Sequence, residues 1–273
     1  MIQGTASDVG KSIVTMALCR LLVRQNRQVV PFKSQNMSNR TYRLYDGKEI
    51  STSQALQAFA AKIEPTAWMN PIVLKPQRGM QSEIVMLGEY VKPIQGKRFR
   101  DAFYEKGLEL IKQSLDELRH HYDTIILEGA GSPVEMNLRD KELVNMKIAS
   151  LADVPVILVA DIERGGLFAS VVGTLALLTE EERRRVKGII VNKLRGDVSL
   201  FTKGITWLEE KVNVPILGVI PYIEHRIDSS LQEDAIDQLN IRNEQGRDAF
   251  DELTDEVAKH LQLNKIIDII DNW

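Results

Sequence analysis

The chain has 273 residues, 44% of them hydrophobic and 27% charged, which is ordinary globular usage and enough for one large α/β domain or two small ones. A net charge of −3 gives no overall field that would gather nucleic acid or an anionic membrane, so neither is expected as a partner. The single cysteine, Cys19, excludes an internal disulfide and a multi-cysteine metal cluster; with no signal-peptide pattern and no apolar run near the roughly 20 residues of a membrane span, a reduced, cytoplasmic protein is expected.

The chain opens on a glycine-rich stretch, IQGTASDVGKS (2–12), and an amphipathic helix is predicted behind it over Ser12–Gln25. The apolar run Gln28–Phe32 predicts a strand and Ser53–Lys62 a helix. Residues 64–98 carry Pro65, Pro71, Pro76 and Pro93, with extended pieces at Ile72–Leu74 and Ile84–Leu87; they read as an insertion beside the sheet that forms part of a substrate rim. A helix over Phe103–His121 follows. Strands are then predicted at Thr124–Leu127, Val154–Ala160, Val186–Val191 and Pro215–Ile220, with helices at Gly166–Leu178 and Leu200–Val212. Apolar, β-branched runs alternating with helices predict an α/β fold, a mostly parallel sheet with helices on both faces. Residues 1–223 read as the main domain and the polar segment 224–246 as a linker. Residues 247–273 read as a C-terminal helix with an apolar stripe of Phe250, Leu253, Val257, Leu261 and Leu263.

In such sheets ligands collect beyond the carboxyl ends of the strands. Lys33, Glu128, Asp161 and Asn192 each stand there. The opening stretch is close to a phosphate-binding loop, G-x-x-x-x-G-K-[ST], but five residues separate Gly4 from Gly10 instead of four. The main chain of Thr5, Ser7, Asp8, Val9 and Gly10 could converge on phosphate oxygens, and the positive end of the next helix points the same way. Lys11 would reach the β- and γ-phosphates of ATP and the Ser12 hydroxyl the Mg²⁺. The bland alternative is a turn with a chance Gly-Lys-Ser.

In LEGAGSPVEMNLRD (127–140), Glu128 emerges at a strand end, level with the loop, where a carboxylate could complete the Mg²⁺ shell. Gly129, Ala130 and Gly131 would let a substrate approach the backbone. Taken alone, a solvated turn explains that stretch equally well. VADIERGGLFAS (159–170) offers Asp161 and Arg164 beside Gly165–Gly166, either a second anion or substrate loop or an ordinary capped turn. In VNKLRGD (191–197), Asn192 could hydrogen-bond an adenine edge, while Lys193 and Arg195 read equally as solvated surface charges.

Together the motifs GTASDVGKS, PFKSQNMSN (31–39), EGAGSPVEMNLRD (128–140), VADIERGGLFAS, IIVNKLRGD (189–197) and PILGVIPY (215–222) resemble the cobyric acid synthase family over roughly residues 2–222. The stretched loop resembles the wider group of dethiobiotin synthetase-like P-loop ATPases. That resemblance implies an ATP-dependent amidoligase of cobalamin biosynthesis. It would amidate four propionates of adenosylcobyrinic acid a,c-diamide through acyl phosphates and ammonia. It places Gly10, Lys11 and Ser12 at the phosphates and metal, Glu128 at Mg²⁺, and Lys33 near the transferred phosphoryl. Asp140, Asn137, Arg139, Gln35 and Asn36 would face the corrin substrate, and the adenine role of Asn192 rests on the broader ATPase group.

Full-length members of that family carry a glutaminase domain with a cysteine nucleophile and a histidine base. Here Cys19 sits in the helix behind the loop, and His120, His121, His225 and His260 have no triad context, so no glutaminase activity is expected. The ammonia source would be free ammonia or a separate glutaminase, and a homodimer stays open as the assembly. Residues 247–270 resemble the closing helix of full-length members, and joining them almost directly to the synthetase part suggests an internal deletion or an engineered junction; only Met1–Gln3 precede Gly4, so the first strand is short, with a start either upstream or trimmed. The rival readings are a P-loop switch ATPase of the partition or division-site type, dethiobiotin synthetase itself, and a nucleotide-binding remnant without turnover. Switch ATPases resemble KGGxGK[ST], with an early lysine that ASDVGKS lacks.

Overall fold

The structure, a computed structural model, describes residues 1–77, 82–91, 99–137, 139–227 and 246–273. Its regular elements begin with β1 (Ile2–Gly4), α1 (Lys11–Arg24), β2 (Val29–Phe32), β3 (Gln35–Met37), β4 (Thr41–Arg43), β5 (Glu49–Ser51) and α2 (Thr52–Ala60). They continue with β6 (Ile72–Pro76), β7 (Ser82–Met86), β8 (Glu89–Val91), α3 (Phe99–His121), β9 (Thr124–Leu127), α4 (Met146–Ala152) and β10 (Val156–Asp161). Then come α5 (Leu167–Leu177), α6 (Glu180–Arg185), β11 (Val186–Leu194), α7 (Thr202–Val212), β12 (Ile216–Pro221), α8 (Ala249–Ala258) and α9 (Leu263–Asp271). Most of the linker expected at 224–246 lies outside the described residues.

The chain forms two compact units. The first takes Met1–Val14, Gly129–Glu224 and Asp255–Trp273; the second takes Thr15–Glu128 and His225–Thr254.

The first unit is built on an all-parallel sheet in the order β1-β10-β11-β12. All six residues of β10 are buried, as a strand covered on both faces requires. Val156, Leu158 and Ala160 alternate onto one face, where they join Ile189, Val191 and Ile216, Val171 and Leu175 of α5, and Leu208 and Val212 of α7. Ile157, Val159 and Ile190, on the other face, are buried too. Parallel neighbours cannot be joined by a tight turn, so α5 and α6 carry the chain from β10 to β11 and α7 carries it to β12.

The outer edge of β12 is closed by the chain that follows α8. Leu261 bridges Gly218, and Gln262 donates its backbone N–H to Leu217 O at 2.7 Å and its side-chain amide to Ile216 O at 2.9 Å. A Cβ on Gly218 would stand 2.4 Å from His260 O, so only glycine admits this close pass. The pairing also divides the helix predicted over 247–273 into α8 and α9.

In the second unit, β2 and β9 pair in parallel from Val29↔Thr124 to Phe32↔Leu127. A second sheet runs β3-β6-β7-β8, parallel between β3 and β6 and antiparallel beyond, and β4 with β5 forms a hairpin. Segment 64–98 therefore supplies β6, β7 and β8. Pro93, also in that segment, lies outside the described residues.

Arg20 of α1 is almost fully buried in this unit. Its Nε donates to Ala60 O at 2.7 Å and Nη2 to Phe59 O at 3.1 Å, both at the end of α2. Nη1 reaches Asp248 Oδ2 and Asp251 Oδ1, each at 3.1 Å, and the guanidinium stacks over Phe250. Every face of a buried charge is thus occupied, as burial demands.

Candidate active site

The Gly4–Ser12 loop belongs to the first unit and ends as α1 begins at Lys11. Asp8 adopts φ 59° and Gly10 φ 98°, so the loop turns through left-handed backbone at two positions. A Cβ on Gly4 would meet Val9 Cγ2 at 2.6 Å and Lys11 Nζ at 3.0 Å. Lys11 folds its ammonium over the loop, donating to Ala6 O at 2.8 Å and Gly131 O at 3.2 Å. Thr5 N–H donates to Val159 O of β10, while Ser7 and Asp8 are exposed. Ser12 is half-buried in the first turn of α1.

The carboxyl end of β11 grips this loop twice. Asn192 Nδ2 donates to Val9 O at 2.9 Å, and that nitrogen lies 2.0 Å from where a Cβ on Gly10 would stand. Lys193, with φ 62°, donates to Asp8 O at 2.5 Å and to Asp161 Oδ2 at 2.9 Å. Asp161 Oδ1 accepts from Glu163 N–H, and Arg164 stands 3.9 Å from the carboxylates of both Asp8 and Asp161. Arg195 pairs with Glu163 and lies 3.7 Å over the Tyr222 ring. The structure therefore gathers Asp8, Val9, Gly10, Lys11, Asp161, Arg164 and Asn192 around one loop. Lys193, which read equally as a solvated charge, is one of its clasps.

Gly129 to Ser132 form a second tight stretch in the same unit. Buried Asn145 donates to Ala130 O at 2.7 Å and Ser132 O at 3.0 Å, and its Oδ1 would lie 2.1 Å from a Cβ on Gly129. Sequence reasoning missed Asn145, whose only local signal was its place before the short apolar run of α4. Arg139, an expected substrate contact, is held by the Glu182 carboxylate and by Leu177 O at 3.0 Å. Asn137 and Asp140 are exposed.

In the second unit Lys33 follows β2 and Glu128 follows β9, adjacent strands that bring the two together. Lys33 Nζ donates to Glu128 Oε1 at 2.8 Å, and Gln57 Nε2 of α2 donates to Oε2. All three side chains are buried. Gln57 was missed as well; the α2 pattern marked it only as a helical position. Gln35 and Asn36 lie on β3, and Asn36 donates to Ser53 Oγ at 3.1 Å.

Among the described residues no three His, Cys, Asp or Glu side chains gather as a metal cluster. Mg²⁺ accompanying a nucleotide needs only one or two carboxylates, the remaining oxygens coming from phosphates and water. Glu128, buried at the end of β9, could supply one. On α2, the Oε1 atoms of Gln57 and of Gln54, one turn earlier on the same face, are buried without a hydrogen-bond partner. Carboxylate and amide oxygens are the donor type that a hard divalent cation takes. Cys19 is buried, and burial, with the Glu128 charge adding to it, pushes its thiol pKa far up, the opposite of an activated nucleophile.

Residues 1–236 match the family model described as the CobQ/CobB/MinD/ParA nucleotide binding domain, and the chain belongs to that family. It is similar to the cobyric acid synthase of Geobacillus sp. (strain WCH70), 52% identical over 224 residues that cover 82% of this chain and 44% of that one. It is also similar to the cobyric acid synthase of Anoxybacillus flavithermus, 51% identical, covering 84% and 45%. The chain thus spans about half the length of these relatives. Among solved structures, the signal recognition particle receptor FtsY of Elizabethkingia anophelis in complex with GDP matches with a TM-score of 0.47 at 16% identity, covering 81% of this chain and 56% of that one. No helix among the described residues is long and apolar enough to cross a membrane.

Proposed function

We propose that the chain is an ATP-dependent amidoligase that converts propionate carboxylates of adenosylcobyrinic acid a,c-diamide to amides, yielding adenosylcobyric acid in cobalamin biosynthesis. One observation carries this reading: a glycine-rich loop with five residues between Gly4 and Gly10, clasped by Asn192 and Lys193, in a chain 52% identical over 224 residues to a cobyric acid synthase.

A carboxylate is a poor acyl donor because oxide would have to leave. In the proposed reaction a substrate carboxylate oxygen attacks the γ-phosphorus of ATP, the bond to the bridging oxygen breaks, and ADP departs. The lone pair of ammonia then attacks the acyl carbon, phosphate leaves with the C–O electron pair, and the nitrogen loses a proton to solvent. The protein's share is positioning and charge stabilisation. The loop amides of Ser7, Asp8, Val9 and Gly10 receive phosphate oxygens, Thr5 holds the start of the loop through its N–H to Val159 O, and Lys11 exchanges its carbonyl partners for the β- and γ-phosphates. Lys33 steadies the transferred phosphoryl. Ser12 offers a hydroxyl and Glu128 a carboxylate to Mg²⁺, which supplies charge neutralisation when bound.

Asp140, Asn137, Gln35, Asn36, Gly129, Asp161 and Arg164 are the proposed substrate contacts. Arg139 joins them by giving up Glu182 for a substrate carboxylate. Asn192 acts on the nucleotide through the loop it braces, one N–H of its amide holding Val9 O. Ammonia is the nitrogen donor, and the inert surroundings of Cys19 give it no part in releasing ammonia from glutamine.

Purified protein incubated with ATP, Mg²⁺, ammonium and the diamide should give successive acid-to-amide mass shifts, with ADP formed in step. Glutamine in place of ammonium should give none. A folded preparation that yields no mass change with ammonium overturns the proposal. ATP-dependent dimerisation without amide product would favour the switch-ATPase reading instead.

A further inference from the structure

The two oxygens of Glu128 are held by groups of different kinds. Gln57 donates to Oε2 and can orient the carboxylate without neutralising it, whereas Lys33 brings a full positive charge to Oε1 at 2.8 Å. A carboxylate 2% exposed needs such a counter-charge, because an uncompensated buried charge is strongly destabilising. A dication arriving at Oε1 meets the same ammonium, and at hydrogen-bond range in a dry interior the two repel strongly. Both cannot hold Oε1.

We propose that Lys33 is a placeholder counter-ion. In the nucleotide-free protein it neutralises Glu128 and keeps free divalent cations out; when a cation does bind, Lys33 is displaced from Oε1 while Gln57 keeps Oε2 and so fixes the carboxylate. The released ammonium is then free to meet an anionic group of the substrates. This rests on reading Glu128 as a metal ligand. It adds a defined exchange to that reading: cation in, lysine out, with Gln57 as the positioning residue.

The test is Mn²⁺ binding to the nucleotide-free full chain near neutral pH, read from the electron paramagnetic resonance signal of the free ion. Wild type should bind weakly. Lys33→Met should bind at least about tenfold more tightly, a modest figure for removing a like charge at this distance. Lys33→Gln, which keeps a donor but no charge, should show the same gain, and Lys33→Arg none. Adding Glu128→Gln to Lys33→Met should abolish the gain. Thermal melting establishes that each variant is folded; should Lys33→Met fail to fold, Lys33→Gln carries the test. Neutral variants that bind Mn²⁺ no better than wild type, or a gain that survives Glu128→Gln, overturn the exchange. No nucleotide enters the assay, so absent amidation would sink the proposed function and leave this result readable.

Discussion

The side-chain nitrogen of Asn192 donates to Val9 O at 2.9 Å and fills the space that a Cβ on Gly10 would need, 2.0 Å away. One amide from the end of β11 thereby fixes both the shape of the loop and the identity of its second glycine. Gly10→Ala meets two obstacles, this collision and φ 98°. The variant should lose binding of a fluorescent ATP analogue, with a smaller fall in melting temperature. Unchanged nucleotide affinity would contradict the brace.

Asn192→Ala removes the brace from the other side. It leaves Val9 O without this donor in a buried setting, at a cost of about 1–3 kcal/mol. Nucleotide affinity should fall too, although the proposed role gives Asn192 no direct contact with the base. Denaturant unfolding and analogue titration measure the two effects separately.

Lys11→Ala should behave differently. Lys11 holds Ala6 O and Gly131 O, a modest structural role worth about 1 kcal/mol, whereas the proposed function asks it to carry phosphate charge. ATP binding should weaken and turnover disappear while the melting temperature drops little. Turnover that survives would remove the loop from the mechanism.

Arg20→Met should unfold the protein far more readily. Asp248 and Asp251 would stay buried without their shared guanidinium, which costs about 3–5 kcal/mol when one partner of a buried pair is removed. Urea midpoints test this, and a shift no larger than that of a surface substitution would refute it.

Asp251 adds a pH dependence. Burial alone would raise its pKa, but the hydrogen bond from Arg24 and the charges of Arg20 and Arg24 outweigh that and hold it below the usual carboxylate value. A depressed folded-state pKa contributes stability that is complete above the unfolded value, about 4, and is lost as pH falls through the folded one. The stability gap between wild type and Asp251→Asn should be full near neutral pH and shrink below about pH 4.

The parts legible in the sequence were those governed by local pattern. The Gly-Lys-Ser of the loop and the apolar runs Val156–Ala160, Ile189–Val191 and Ile216–Ile220 declare themselves because a strand stretch buried on both faces admits no polar alternation. α6 escaped because EEERRR has no apolar face; it is held instead by a capping box between Thr179 and Glu182. β3 escaped because Gln-Asn-Met carries little strand propensity and is set by pairing with β6. Lys33 and Glu128 were each identified at a strand end, but their contact spans 95 positions and follows only from the β2–β9 register. The clasping role of Lys193 and the grip of Gln57 on Glu128 are likewise long-range facts that no local periodicity encodes.

The family match ends at residue 236, yet the two carboxylates that satisfy Arg20 belong to residues 248 and 251. A recognisable domain and an autonomous folding piece are therefore different stretches of this chain. Excising the matched segment alone would strand a guanidinium in a dry interior on the very helix that begins at Lys11, so the nucleotide-binding module is not portable without its distant tail.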